Sequence, residues 1–177
     1  MAKNKKLDLR EILIPTISLF LICLATTAAL AAVNAVTEEP IAANMSAQAD
    51  AARQEIFEGA RFMDNGDYFT AMDQNGALLG YCMQTQAQGY GGAIQIAVGL
   101  DTEGQVLRVK VVNCDNETPG LGQKIKEESF LKQFTGGKNT VQVDSIASAT
   151  YSSRGVENAV NQALRIYEEQ IKGGAAQ

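Results

Sequence analysis

The sequence contains no histidine and only three cysteines in 177 residues. Histidine is the commonest general base near neutral pH and a frequent metal ligand, so its absence excludes Ser-His-Asp and Cys-His catalytic arrangements. Zinc, haem and iron–sulfur sites draw on histidine or on grouped cysteines. The scattered cysteines therefore argue against any such site built from this chain alone.

Positive charge is also scarce, since 15 Lys and Arg residues stand against 20 Asp and Glu residues and leave a net charge of −5. No basic cluster occurs outside the N-terminus, so nucleic acid is not an expected partner. Cys23 falls in an apolar stretch, whereas Cys82 and Cys114 fall in the polar remainder of the chain. Those two could pair if they meet in space, although two reduced, buried thiols are the favoured interpretation.

Charged residues are missing altogether between Ile12 and Val36. About 20 apolar residues in a helix cross a bilayer, so we predict a transmembrane anchor over residues 12–36. The preceding residues 1–11 are basic, and the positive-inside rule keeps such a flank in the cytoplasm. The basic residues of this flank are Lys3, Lys5, Lys6 and Arg10. Everything after about Thr37 is therefore expected on the outer side of the membrane.

A cleaved signal peptide is the alternative interpretation of this stretch, because the alanines within residues 28–35 could supply a cleavage site. The apolar run is longer than a usual signal-peptide core and carries Pro15 near its start, which favours a retained anchor. Lipidation at Cys23 is not expected, since Ile22 occupies the preceding position, where a small residue is needed.

Beyond the anchor, the pattern predicts a linker over residues 37–45 and one globular domain over residues 46–177, a length typical of one domain. A helix is predicted over residues 46–62, where alanines and Ile56 repeat along one side. Alternating and β-branched residues separated by turns then predict four strands. These strands are Tyr68–Met72, Ala77–Gln86, Ala93–Leu100 and Gln105–Val112. The predicted fold class is α+β, with mainly antiparallel strands flanked by helices.

The first motif, Glu117-Thr-Pro-Gly-Leu-Gly122, follows the last of these strands. Pro119 fixes φ, Gly120 permits a positive φ, and Gly122 permits a close approach of the backbone, so the motif predicts a sharp turn. A plain connection between a strand and a helix would explain the same residues. On its own the motif leaves a ligand role open.

The second motif lies where a β-type run, Val141–Asp144, gives way to a loop of small residues and then to an amphipathic helix. Six residues share the apolar face of this helix: Val156, Val160, Ala163, Leu164, Tyr167 and Ile171. Ser152 or Ser153 is placed to cap its start. The free N–H groups of a helix start favour an anion, and Arg154 adds a positive charge. A tight connection without a ligand is the alternative.

Both motifs resemble signatures of one family, the flavin-binding domain of the G subunit of Rnf electron-transport complexes, shared with the C subunit of the sodium-pumping NADH:quinone reductase. Ser148-Ala-Thr-Tyr-Ser-Ser153 resembles its Ser-Gly-Ala-Thr-x-Ser/Thr signature, and Glu117–Gly122 matches its second signature unbroken. The similarity runs from about residue 80 to 165 and includes the loop Gly89-Tyr-Gly-Gly92. Ser148 stands where family members usually have glycine.

The resemblance implies that Thr150 carries FMN through a phosphoester bond, which an external flavin transferase makes with FAD as donor. The family motif identifies Thr150 alone, and two groups of cofactor-binding residues are our hypotheses around it. The phosphate end is expected at Ser148, Ala149, Thr150, Ser152, Ser153 and Arg154. The isoalloxazine or ribityl group is expected at Glu117, Thr118, Leu121 and Gly122. Leu121 is expected to cover the ring surface, and Thr118 to offer a hydrogen bond.

The function implied by this resemblance is electron relay, in an Rnf-type ferredoxin:NAD⁺ oxidoreductase coupled to Na⁺ or H⁺ transport. The expected location is the cytoplasmic membrane of a bacterium or archaeon, in a single pass, with the flavin domain outside. Other membrane subunits and the lipid bilayer are the expected partners. The chain is not expected to be catalytic alone or to bind NAD or ferredoxin, because it carries no Rossmann fingerprint or cluster motif.

Three other functions stay open at this point. The chain could be the corresponding subunit of the sodium-pumping quinone reductase. It could also be a stand-alone extracytoplasmic flavoprotein. An anchored module that binds a ligand or partner without flavin is the third, and covalent flavin fluorescence would separate it from the others.

Overall fold

The computed structural model describes residues 9–174. The chain divides into two compact units, Met1–Asn44 and Met45–Gln177, and each is described by itself. The first helix, α1, spans Leu9–Ile56. Among the described residues it is the one helix long and apolar enough to cross a membrane. Most of the predicted basic flank, residues 1–8, lies outside the described part of the chain.

The end of α1 differs from the prediction in two respects. Residues 37–45, predicted as a linker, are helical, since an alanine-rich sequence with a single proline (Pro40) retains a high helix propensity. The helix predicted over residues 46–62 ends at Ile56. Gly59 follows with a φ of +71°, a conformation that ends helices and that glycine adopts readily. The chain then turns into a strand that the sequence did not predict.

Five strands form one sheet in the order β1-β2-β3-β4-β5, and each is antiparallel to its neighbour. The strands are β1 (Arg61–Asp64), β2 (Tyr68–Met72), β3 (Leu78–Gln88), β4 (Ala93–Leu100) and β5 (Val106–Asn113). Short turns join consecutive strands. The α+β class with mainly antiparallel strands is therefore confirmed.

One face of the sheet is covered by α3 (Thr150–Ile166), which packs against β3 and β4. Three short helical turns precede α3: the 3₁₀ turn Gly122–Lys126, α2 (Glu128–Leu131) and the 3₁₀ turn Lys132–Phe134. The predicted apolar face of α3 is confirmed, with Val156, Val160 and Leu164 buried. Burying side chains of this size stabilises a fold by roughly 1.5–3 kcal/mol each. The hydroxyl of Thr85 in β3 also donates to the carbonyl oxygen of Ala159, 2.9 Å away. These contacts fix the helix along the sheet.

The opposite face of the sheet packs against the C-terminal end of α1 through Ala52, and against Phe57 just beyond it. Cys82 lies in this second core and is fully buried. Desolvation raises the pKa of its thiol to about 12, so it stays protonated and inert at neutral pH. Cys82 and Cys114 are both free thiols, in agreement with the interpretation favoured by the sequence.

The run Val141–Asp144 was predicted as β-type but is not part of the sheet. Side chains take the place of a partner strand. Asn161 of α3 accepts a hydrogen bond from the Val141 N–H at 2.8 Å and donates to the Val141 carbonyl at 2.9 Å. Gln133 accepts from the Asp144 N–H at 2.9 Å. The segment is thereby held against α3, and it delivers the following loop to the start of that helix.

Candidate functional site

A cavity of about 520 Å³ lies at the N-terminal end of α3. Ligand cavities commonly measure roughly 300–1,000 Å³. Three separate segments line it: Tyr90 between β3 and β4; Thr118, Leu121 and Gly122 after β5; and Ser148, Ala149, Thr150, Tyr151 and Ser152 at the start of α3. The two motifs singled out in the sequence thus meet at one site.

The turn of the first motif adopts the predicted conformation. Gly120 has a φ of +74°, and the Leu121 N–H donates to the Thr118 carbonyl oxygen at 3.2 Å. Gly122 packs tightly, because a Cβ there would lie 2.7 Å from Oε2 of Glu117 and 3.0 Å from Oγ of Ser152. The absence of a side chain therefore allows the turn to reach α3, and Leu121 is left partly exposed at the cavity wall.

The start of α3 differs from the prediction. The helix begins at Thr150, Ala149 is its N-cap, and no side chain caps it. The expected capping by Ser152 or Ser153 is wrong, because both hydroxyls are engaged elsewhere. Ser152 donates to Oε2 of Glu117, while Ser153 donates to the Ala149 carbonyl oxygen at 3.0 Å. The N–H groups of the first turn are left for another acceptor.

Thr150 occupies the first helical position, lines the cavity and is exposed. Its hydroxyl is accessible to a modifying enzyme. The partial positive charge of the helix start lies beside it and favours a phosphate there. The cavity wall itself carries no Lys or Arg among the described residues, so this helix start is the local source of positive potential.

Three predicted residues lie outside the cavity wall. Arg154 is exposed one turn further along α3, and its predicted contact with the phosphate stays a prediction. Ser153 is buried beneath the loop, where it also accepts a hydrogen bond from the Ile146 N–H at 3.0 Å. Glu117 is buried behind the wall.

Two wall residues were not predicted as site residues, Tyr90 and Tyr151. Each is 72% exposed, so together with Leu121 they give the cavity an apolar rim. The signal for Tyr90 was available in the sequence, because a tyrosine flanked by glycines is held at the tip of a hairpin where its ring can face a ligand. Tyr151 occupies the unspecified position of the second motif, which offered no signal.

Ser148 adopts a φ of +63°. It lies at the third position of a four-residue turn that the Ala149 N–H closes onto the Ile146 carbonyl oxygen at 3.0 Å. A positive φ at this position of a turn favours glycine, and a residue with a Cβ is strained there by about 1–2 kcal/mol. The positive φ explains why members of the family that this chain resembles usually have glycine at this position.

Replacing Ser148 with glycine is expected to raise the free energy of unfolding by about 1 kcal/mol, because it removes that strain. Thermal unfolding of the full chain in detergent, followed by circular dichroism, measures the change. Ser148→Ala is the matched control, since alanine keeps the Cβ and the strain, and it should not stabilise. A Ser148→Gly variant less stable than the starting protein would contradict this account of the turn.

The residues present fit FMN. Hydroxyl groups of Thr118, Ser148 and Thr150, together with the free N–H groups of the helix start, suit a phosphate and a ribityl chain. The apolar rim formed by Leu121 and two tyrosines suits the flat isoalloxazine ring.

Comparison with known proteins gives two family matches for this chain. Residues 89–165 match the FMN-binding domain family, and residues 1–56 match the RnfG N-terminal region. The chain is 31% identical over 180 residues to the G subunit of the proton-translocating ferredoxin:NAD(+) oxidoreductase complex of Clostridium ljungdahlii, and the match covers 93% of this chain and 95% of that one. It is 32% identical to the G subunit of the ion-translocating oxidoreductase complex of Methanosarcina acetivorans, where the match covers 64% of this chain and 67% of that one.

Solved structures that resemble this fold include a crystal structure of the C subunit of the Na(+)-translocating NADH-quinone reductase of Parabacteroides distasonis. The two chains are 24% identical and superpose with a TM-score of 0.49, and the match covers 58% of this chain and 60% of that one.

Proposed function

This chain belongs to the family of G subunits of ion-translocating oxidoreductase complexes, and from that premise we propose that it is the membrane-anchored, FMN-carrying subunit that relays electrons within such a complex. The observation that carries the proposal is the cavity at the start of α3, where two flavin-domain motifs meet around an exposed threonine. FMN supplies the one- and two-electron redox chemistry when bound. The chain supplies its position and surroundings.

Thr150 is the proposed point of covalent attachment, through a phosphoester bond to FMN. Its place at the first helical position supports this, since the neighbouring N–H groups can take the remaining phosphate oxygens. Leu121 and Tyr90 would pack against the isoalloxazine ring, and Thr118 would offer a hydrogen bond.

The threonine hydroxyl has no base of its own in the cavity. The chain lacks histidine, and the described residues of the cavity wall include no carboxylate and no lysine. An alcohol needs an adjacent base or a metal to act as a nucleophile. A flavin transferase is therefore part of the proposal. Its own activating group would take the proton of the Thr150 hydroxyl, whose oxygen would bond to the FMN phosphorus as the pyrophosphate bond of FAD breaks and AMP leaves.

The proposed location of the flavin domain is the extracytoplasmic side, with α1 as the single membrane pass. The basic flank and the uncharged run from Ile12 to Val36 support this orientation. A covalent bond has a clear use on that side, because a cofactor that dissociates there is lost to the medium.

An Rnf-type complex is favoured over the quinone reductase as the setting. The match to the RnfG N-terminal region and the ferredoxin:NAD(+) oxidoreductase relative that is similar along 95% of its length support this choice. Ferredoxin as electron donor, NAD⁺ as acceptor and coupling to Na⁺ or H⁺ transport are proposed on the same basis.

The proposal is tested with the full chain expressed with and without a flavin transferase. We expect yellow-green fluorescence of the denatured band and the added mass of one FMN phosphoester only when the transferase is present. Purification of the native protein in mild detergent should bring several membrane subunits along. Absence of flavin from the transferase-treated protein would overturn the cofactor assignment, and a flavinylated protein that purifies alone would overturn the assignment to a complex.

A further inference from the structure

Glu117 is the one charged side chain that is buried among residues 9–174, with 2% of its surface exposed. It lies behind the cavity and does not line it. Its two oxygens are nevertheless bonded to both neighbouring segments. Oε1 accepts a hydrogen bond from the Gly91 N–H at 3.0 Å, and Oε2 accepts one from the Ser152 hydroxyl.

The surroundings of this carboxylate are fitted closely to it. A Cβ on Gly89 would overlap Oε1, and a Cβ on Gly122 would lie 2.7 Å from Oε2. A Cβ on Gly91 would overlap the carbonyl oxygen of the preceding residue, Asn116. A side chain at any of these three positions would collide with Asn116 or Glu117, so the packing of these two residues requires glycine on two different segments. The Glu117 side chain therefore packs against both the hairpin loop (residues 89–92) and the turn that contains Gly122.

A buried carboxylate is costly when it lacks a partner of opposite charge. The ion pairs among the described residues do not include Glu117. Its desolvation is offset by the two hydrogen bonds and by the helix start to which Ser152 belongs, since the first turn carries a partial positive charge. An apolar residue would fill this space without that desolvation penalty, but it could not accept hydrogen bonds from Gly91 and Ser152.

Both bonded residues stand at or next to the wall of the cavity. Gly91 follows Tyr90, and Ser152 lies two residues beyond Thr150 in the same helical turn. A shift of the hairpin loop would move Tyr90, and a shift of the first turn of α3 would move Thr150, relative to the rest of the cavity wall. Displacements of about 1 Å in a positioned group can lower a rate by about 100-fold.

We propose that Glu117 is a positioning residue for flavin loading: it sets the hairpin loop and the first turn of α3 so that the Thr150 hydroxyl is presented for modification. It acts through Ser152 and the Gly91 N–H and does not touch the cofactor. This replaces the sequence-based expectation that Glu117 approaches the flavin. The inference rests on the proposed function, because it concerns the loading of the same site.

The test measures the rate at which a purified flavin transferase, with FAD, labels the full chain in detergent. Glu117→Ala removes both hydrogen bonds and is expected to slow labelling by about 10-fold to 100-fold. Glu117→Gln should stay within about threefold of the starting protein. Its amide oxygen can accept the hydrogen bond from the Gly91 N–H, and its NH₂ group can donate to the Ser152 hydroxyl, which can also act as an acceptor. The flavin that does attach to Glu117→Ala should be more mobile, which fluorescence anisotropy reports.

A double-mutant cycle tests whether the two residues act together. If Glu117 works through Ser152, the variant carrying both Glu117→Ala and Ser152→Ala should be labelled no more slowly than the slower single variant. Effects that multiply would show that the two side chains act independently, and the inference would fail.

Val109→Ala is the stability control. Val109 is 2% exposed in β5 and forms no part of this cavity, and its truncation should lower stability by about 1–2 kcal/mol. We expect normal labelling of Val109→Ala. If Glu117→Ala and Val109→Ala have the same melting temperature and are labelled equally slowly, the role of Glu117 is purely structural. If Glu117→Ala is labelled at the normal rate, Glu117 has no positioning role. A starting protein that takes no flavin would instead defeat the proposed function itself.

Discussion

Thr150→Val is expected to remove covalent flavin completely while leaving the fold in place. Valine has the shape of threonine but a methyl group in place of the hydroxyl, so no phosphoester can form. Both residues are β-branched and have similar helix propensities. Thr150 is exposed at the first helical position, so the melting temperature should hardly change. In-gel fluorescence of denatured protein and intact mass, after co-expression with a flavin transferase, measure the outcome.

Thr118→Val is the matched control for this experiment. It makes the same chemical change in another exposed threonine of the same cavity, and it should retain covalent flavin. Its loss of a hydrogen bond would weaken non-covalent contacts only, by about 0.5–1.5 kcal/mol. Fluorescence that survives denaturation in Thr150→Val would place the attachment at another residue. Loss of flavin from both variants would indicate that either change disrupts the cavity as a whole.

The parts of this site that depend on local conformation were predictable from the sequence. Gly120 has the positive φ that its place after Pro119 implies, and α3 buries the face that its periodicity predicts. Strand β4 covers the predicted residues, Ala93–Leu100. These features depend on neighbours along the chain, which a single sequence displays.

Features that depend on distant partners were not predictable in the same way. Ser152 has the position of a helix cap, yet its hydroxyl donates to Glu117, 35 positions away in the sequence. Val141 has the pattern of a strand residue, yet an asparagine side chain of α3 satisfies both its backbone groups. In each case a hydrogen bond to a side chain distant in the sequence replaced the one that the local pattern predicted. No pattern along the chain distinguishes the two outcomes.

The position of Glu117 illustrates the same limit within the site itself. Its place in a motif indicated a role in the site but not the direction of the side chain. In the structure it is buried and does not line the cavity, and Gly89 and Gly122 leave room for its oxygens. Its proposed role in positioning therefore rests on its hydrogen bonds to Gly91 and Ser152.

Gly91→Ala is expected to be the most disruptive single methyl addition near the site. A Cβ on Gly91 would overlap the backbone carbonyl oxygen of Asn116, and backbone cannot rotate away as a flexible side chain can. The hairpin loop would have to shift and release the hydrogen bond from the Gly91 N–H to Glu117. We expect a loss of about 3 kcal/mol in the free energy of unfolding, together with reduced flavin loading as Tyr90 moves. Thermal unfolding of the full chain, measured beside the labelling rate, records both effects.

Gly92→Ala separates the backbone clash from the general effect of replacing glycine in this loop. The two glycines are adjacent, but a Cβ on Gly92 would meet the side chain of Asn116, at 2.9 Å from Nδ2. The amide group of that side chain can rotate, and the Asn116 Cβ, 3.0 Å away, has to shift by only a few tenths of an ångström. We therefore expect a loss of only about 1 kcal/mol and near-normal labelling. Equal destabilisation by the two substitutions would refute the close approach of Gly91 to Asn116. We expect stability and labelling to fall together in Gly91→Ala, because the hairpin loop packs rigidly against Asn116 and Glu117. A variant that is destabilised but labelled normally would show that Thr150 can be modified without the present position of this loop.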